Sequence, residues 1–285
     1  MRPLAAGLVL AALTAFTGAA TAAPPEEQAW LDRLTARVIE EVAAGEPLTV
    51  RVHVPLCDSS IIACGNAKLG DGDNLATNLY WATTPGFGRW FSRKGSAWKR
   101  VRAEDPPDPD VLAVHVYRRT VAAPAGWRER GAPKQMPIEI EIFAWRGTAI
   151  DRALAAYAAD LGDGAAHLVA WVGHNRLMDL EHELAWPAPA AEPTGMIAIA
   201  CHTAAYMEGH VPAPTRVPLL LTRDYLFANA APLEATVLAF ATGGGYAELR
   251  KAAAAAYAGV QKREVRRVAG AFTNPADRRW KGTAK

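Results

Sequence analysis

Three short stretches of this chain are apolar almost without interruption: His167-Leu-Val-Ala-Trp-Val-Gly173, Met196-Ile-Ala-Ile-Ala200 and Val217-Pro-Leu-Leu-Leu221. A strand with one face in water alternates apolar and polar residues, whereas a strand that does not alternate must be covered on both faces. These runs therefore predict the centre of a sheet enclosed between helices. Around them, Leu48 to Leu56 alternates strictly, and further strands are expected at Trp98–Val101, Val111–Tyr117 and Ile138–Trp145. Helical periodicity marks residues 27–44, 148–161, 233–241 and 246–262, with a further helix expected from Asn74 to Trp81. Strands alternating with helices, with the central strands apolar throughout, predict an α/β three-layer sandwich with a mostly parallel central sheet. With 285 residues, 51% of them hydrophobic, the chain has enough apolar surface for one large core. A single domain over residues 23–285 is expected, its core at about 48–262 and its basic end from Arg263 a solvated tail.

The N-terminus predicts a destination. Leu4 to Phe16 is an apolar run too short for a membrane span of about 20 residues. Small residues follow it, as in a secretory signal cut after Ala22. The expectation is an exported protein, periplasmic or secreted, with no membrane span once residues 1–22 are removed. A net charge of +2 gives no strong steering toward nucleic acid, so no nucleic-acid partner is expected. Oligomeric state is left open.

In an open parallel sheet the loops at the carboxyl ends of the strands converge on one crevice. Two of the apolar runs end there on reactive groups, Gly173 being followed by His174 and Ala200 by Cys201. If the two strands are neighbours, about 4.8 Å apart, an imidazole and a thiol leave the same sheet edge side by side. An imidazole can take the thiol proton, and the thiolate is the nucleophile.

A strand ending in Trp171-Val-Gly-His-Asn175, then one ending in Ile199-Ala-Cys-His202, resembles the caspase-like cysteine peptidases, the fold of caspases, legumains, clostripain and gingipains. The resemblance covers roughly residues 48–262 and is carried by these two short motifs. It implies a hydrolase cleaving peptide or peptide-like amide bonds, with a peptide or protein as substrate and no cofactor. Cys201 would be the nucleophile and His174 its base or acid. The backbone amide of Cys201 and one near His174 would form the oxyanion pocket, bringing Gly173, Asn175 and His202 close to the site. In the family the histidine is usually followed by Gly; here Asn175 stands in that place.

Three cysteines leave one unpaired. In an oxidising compartment Cys57 and Cys64, seven apart across a loop, are candidates for a disulfide, which leaves Cys201 as the thiol; three pairings are open in principle. Asp58, Asp71 and Asp73 follow the first strand and, facing the same crevice, would favour a basic residue before the cleaved bond. Asp71-Gly-Asp-Asn74 lacks the remaining ligands of a calcium loop and reads as a turn. His174, Asp179, His182, Cys201, His202 and His210 are ligand types without H-E-x-x-H or C-x-x-C spacing, so no metal is expected. The competing expectation is a non-catalytic binding or structural envelope protein.

Overall fold

The computed structural model describes residues 22–104, 106, 108–180, 186–188, 191–207 and 215–280. Residues 1–21 of the expected signal, together with His182 and His210, lie outside them. The chain runs α1 (Pro25–Ala43), β1 (Leu48–Pro55), α2 (Phe87–Trp90), β2 (Lys99–Glu104), β3 (Val111–Ala122), α3 (Ala125–Arg128), β4 (Gln135–Trp145) and α4 (Ile150–Asp163). It continues through β5 (Leu168–Val172), β6 (Thr194–Ile199), α5 (Thr203–Met207), β7 (Arg216–Thr222), α6 (Ala230–Ala241), α7 (Tyr246–Gln261), α8 (Val265–Val268) and β8 (Phe272–Thr273).

One mixed sheet of eight strands carries the fold, in the order β2-β3-β4-β1-β5-β6-β7-β8. The five strands from β4 to β7 in that order are parallel, and β2, β3 and β8 pair antiparallel at the margins. The three unalternating runs are β5, β6 and β7, every residue of which is buried. Helices cover both sides. Leu34 and Val38 of α1, Val237 of α6 and Leu249 of α7 pack with Val50, Leu168 and Ile197 on one face. Ile150, Leu154 and Tyr157 of α4 and Met207 of α5 pack with Val169, Trp171 and Met196 on the other. The architecture is thus an α/β sandwich of three layers with a mostly parallel sheet.

The strict alternation of β1 has a less obvious outcome. Of its polar residues, His53 is buried and Arg51 half-buried, both under α4, where Arg51 reaches Asp160 at 3.1 Å and His53 Nε2 lies 2.9 Å from Asp160. The indole of Trp145 donates to His53 Nδ1. Pro218 sits inside β7 at a register shift between Met196 and Ile197 of β6, the kind of irregularity that accommodates a residue with no N–H to donate.

Two expectations fail. The stretch Asn74–Trp81 is a series of turns, not a helix. Asn78 explains this: its side chain accepts from the amide of Cys57 and donates to the carbonyls of Cys57 and Asp71. Bonds of that kind compete with the helical ladder. The segment after Arg263 is not a solvated tail: Phe272 and Thr273 are completely buried and pair with Thr222 and Leu221 of β7. Asn274 secures it by donating to the carbonyls of Leu219 and Tyr246. An apolar strand at the sheet margin leaves an edge to be covered, and this segment covers it. Among the described residues, no helix is long and apolar enough to cross a membrane.

Candidate functional site at the carboxyl edge of the sheet

β5 and β6 are parallel neighbours whose last registered pair is Val172 with Ile199. His174 and Cys201 each follow two residues later, just past the ends of these neighbouring strands. Contact between the two segments persists past the strands, since the Asn175 side-chain amide donates to the carbonyl of Cys201 at 2.8 Å. Gly173 permits the turn out of β5: a Cβ there would meet the Pro55 ring at 3.2 Å, so the end of β1 presses directly on it.

The turn after β6 is held by two hydroxyls. Thr203 donates to the carbonyl of Ala198 at 2.9 Å, its hydroxyl lies 2.9 Å from that of Thr222, and Thr222 in turn donates to the carbonyl of Ala200. His202 adopts a left-handed conformation with φ of 51°. This strain, of order 1 kcal/mol for a residue other than Gly, is offset by bonds to the segment after β7. The His202 amide donates to the carbonyl of Asp224, and the imidazole Nδ1 lies 3.0 Å from the carbonyl of Arg223. A carbonyl only accepts, so Nδ1 carries a proton in this contact.

Cys201 is a free, half-buried cysteine, and its thiol donates weakly to the carbonyl of Leu226 at 3.7 Å. Tyr80 and Tyr257 stand near it. The Tyr80 phenol is pushed well above its ordinary pKa, by burial first and by the negative charge of an ionised Cys201 second. Burial raises Tyr257 as well, with the bond from the Phe227 amide opposing and Cys201 adding to the rise. Tyr80 reaches this position from the long loop after β1, which Asn78 and the Cys57–Cys64 disulfide hold in shape.

His174 faces a partner that sequence reasoning did not assign to it. Its Nε2 lies 2.5 Å from Asp179 Oδ2, with the imidazole side chain only 13% exposed. Asp179 is held in turn by Arg176 at 3.5 Å, and Arg176 pairs with Asp151 at the start of α4. In the neutral tautomer that donates Nε2–H to the carboxylate, Nδ1 carries the lone pair. This edge thus carries two groups with separate partners: a carboxylate-bound imidazole at His174, on the side of α4, and a free thiol at Cys201, by Leu226, Tyr80 and Tyr257. Asp179 follows His174 by five residues, and that spacing across a tight turn was the only signal for the pair.

The other expected site residues separate. The amides of Gly173 and His202 donate to the carbonyls of Ile199 and Asp224, at 3.4 and 3.2 Å, so both are engaged. Asn175 is fully buried and its Oδ1 has no hydrogen-bond partner. Asp58 and Asp71 accept bonds from Ser60 and from the Asp73 amide within their own loop, and Asp73 pairs with Arg146. One oxygen of each is thus engaged, in a turn or an ion pair near the ends of β1 and β4. Among the described residues, no three His, Cys, Asp or Glu side chains stand close enough to hold a metal ion. Compared with protein-family models, curated proteins and solved structures, the chain matches none.

Proposed function

We propose that this protein is an exported, caspase-like Cys–His hydrolase that cleaves peptide or peptide-like amide bonds, with Cys201 as nucleophile and His174 as its base. The observation that supports the reading is the parallel pairing of β5 and β6, whose last pair is Val172 with Ile199, so that His174 and Cys201 each follow by two residues at the sheet edge where α/β sites collect. Asp179 would hold His174 in the tautomer whose Nδ1 accepts the thiol proton. The imidazolium formed on thiol ionisation then returns that proton to the leaving amine, and water releases the acyl group from sulfur.

The resting contacts favour one alternative. The Cys201 thiol is directed at the Leu226 carbonyl, and its hydrogen bond in this conformation is to that oxygen rather than to His174. A protein that only binds peptides, on the same framework, has that arrangement too. Alkylation separates the two. At pH 6–7 without denaturant, iodoacetamide should modify Cys201 at least tenfold faster than it modifies the His174→Ala variant. A mixed fluorogenic peptide library should be turned over by the wild type and not by Cys201→Ala. Equal, slow labelling of wild type and His174→Ala would remove the dyad; fast labelling without turnover would leave a binding protein with a reactive thiol.

A further inference from the structure

One residue along the chain from Leu226, the acceptor of the Cys201 thiol, a groove of about 810 Å³ begins at Phe227, within the range of about 300–1,000 Å³ common for ligand sites. Its floor is the outer surface of the last turns of α7, where Ala255, Ala256 and Gly259 carry almost no side chain; its walls include Pro85, Trp90 and Phe227. Among the described residues, none that line it is charged. The groove lies at the same sheet edge as Cys201, because α6 leaves the loop after β7 and α7 returns toward it. Continuity with the thiol is direct: Leu226, whose carbonyl accepts from Cys201, is followed by the groove residue Phe227. One residue along a chain is about 3.8 Å between Cα atoms.

The walls are fixed before any ligand arrives. Trp90 donates its indole N–H to the buried Glu234 at 2.6 Å, with Arg93 stacked over its ring at 4.0 Å. The Phe227 amide donates to the hydroxyl of Tyr257 at 3.0 Å, tying that wall to α7. A pre-formed, uncharged groove costs little ordering on binding and penalises a charged guest, which would lose its water without gaining a partner.

We propose that this groove is the substrate subsite next to the scissile bond, and that it takes bulky apolar side chains of a peptide. The assignment rests on Cys201 being the nucleophile and replaces the basic preference that the loop acids suggested. Asp58, Asp71 and Asp73 are tied up in their own loop and with Arg146, whereas the surface adjoining Leu226 is apolar.

Gly259 makes the test clean, since a side chain added there meets no atom within 4 Å and grows into open space. In a Cys201→Ala background, calorimetric titration with acetyl-Phe-Leu-Ala amide and acetyl-Arg-Arg-Ala amide should show the apolar peptide binding at least tenfold more tightly. Gly259→Leu should weaken the apolar peptide at least tenfold with an unchanged melting temperature, and Ala256→Leu serves as a second variant if Gly259→Leu melts lower. Equal or tighter binding of the basic peptide, or an apolar affinity indifferent to both substitutions, would overturn the proposal. So would tighter binding of octanoate, an acyl chain without amide bonds. Iodoacetamide labelling of wild-type Cys201 is read separately. Inert Cys201 together with a groove that discriminates peptides defeats the catalytic reading alone, whereas reactive Cys201 with no apolar preference defeats the subsite alone.

Discussion

β5 is bounded by two histidines, and the strand between them is too short to separate them by more than about 24 Å. Their surroundings are opposite. His167, just before the strand, is buried; its Nδ1 accepts from the Thr49 amide at 3.0 Å, and Nε2 lies 3.0 Å from Glu41 without the alignment of a hydrogen bond. Burial, with Arg37 adding to it, outweighs the attraction of Glu41 and takes the His167 pKa from 6.5 to about 4. His174, just past the strand, is bound at one nitrogen by Asp179 and keeps the other free at an edge shared with a thiol. The amino end of a parallel sheet is closed by packing, while the carboxyl end is where loops diverge and leave room for a ligand. One residue type therefore serves structure at one end and is available for chemistry at the other.

The largest effect expected is at the carboxyl end. On the proposed mechanism, Cys201→Ala should reduce peptide turnover by roughly 10⁴-fold or more, to background, because removing the nucleophile removes the pathway. His174→Ala should cost about 10²–10⁴-fold, as expected for a lost general base. Asp179→Asn should cost about 10²-fold with the fold intact, since the neutral amide no longer fixes the imidazole tautomer. Turnover and circular dichroism together check all three, and a fully active Asp179→Asn would return Asp179 to a purely structural role.

His167→Ala should give the reverse pattern. Iodoacetamide labelling of Cys201 should stay within about twofold of wild type, while urea unfolding shows a loss of about 2–3 kcal/mol from leaving the Thr49 amide buried without an acceptor. The same residue sets an acid limit. The unfolded chain takes up a proton near the ordinary value of 6.5, the folded chain not until about 4. Stability from this group is therefore complete above pH 6.5 and falls as pH falls through that window. His167→Gln, which keeps an acceptor for Thr49, should flatten stability between those values; an unchanged slope would assign the acid sensitivity elsewhere.

The smallest effect concerns the loop that carries Tyr80. Replacing Cys57 and Cys64 by Ser opens a loop with a separation of seven residues and should cost roughly 2.5 kcal/mol by chain entropy. Turnover measured well below the new melting temperature should fall by less than tenfold, as Asn78 still ties the loop to Cys57 through the backbone.

The strand pattern was legible because burial on two faces leaves no polar position to alternate. β5, β6 and β7 occupy the three apolar runs to within two residues at each end. The helix expected at 74–81 was not recoverable, because Asn78 forms its bonds with Cys57 and Asp71, residues whose proximity depends on the folded loop. The cover over β7 was hidden as well. The segment after Arg263 has the charge of a solvated end, and only the exposed margin of the sheet gives Phe272 and Asn274 something to pack against.

The sequence by itself determined the α/β class, the order of the central strands along the chain and the placement of His174 and Cys201 at strand ends, since these follow from local periodicity and from which residue terminates each run. Tertiary structure alone decided that β5 and β6 are neighbours, that Asp179 holds His174, that the loop acids face their own turns and that an apolar groove adjoins Leu226. Each of those depends on distances between residues far apart in the chain or across a turn, and such distances are set by packing the layers together.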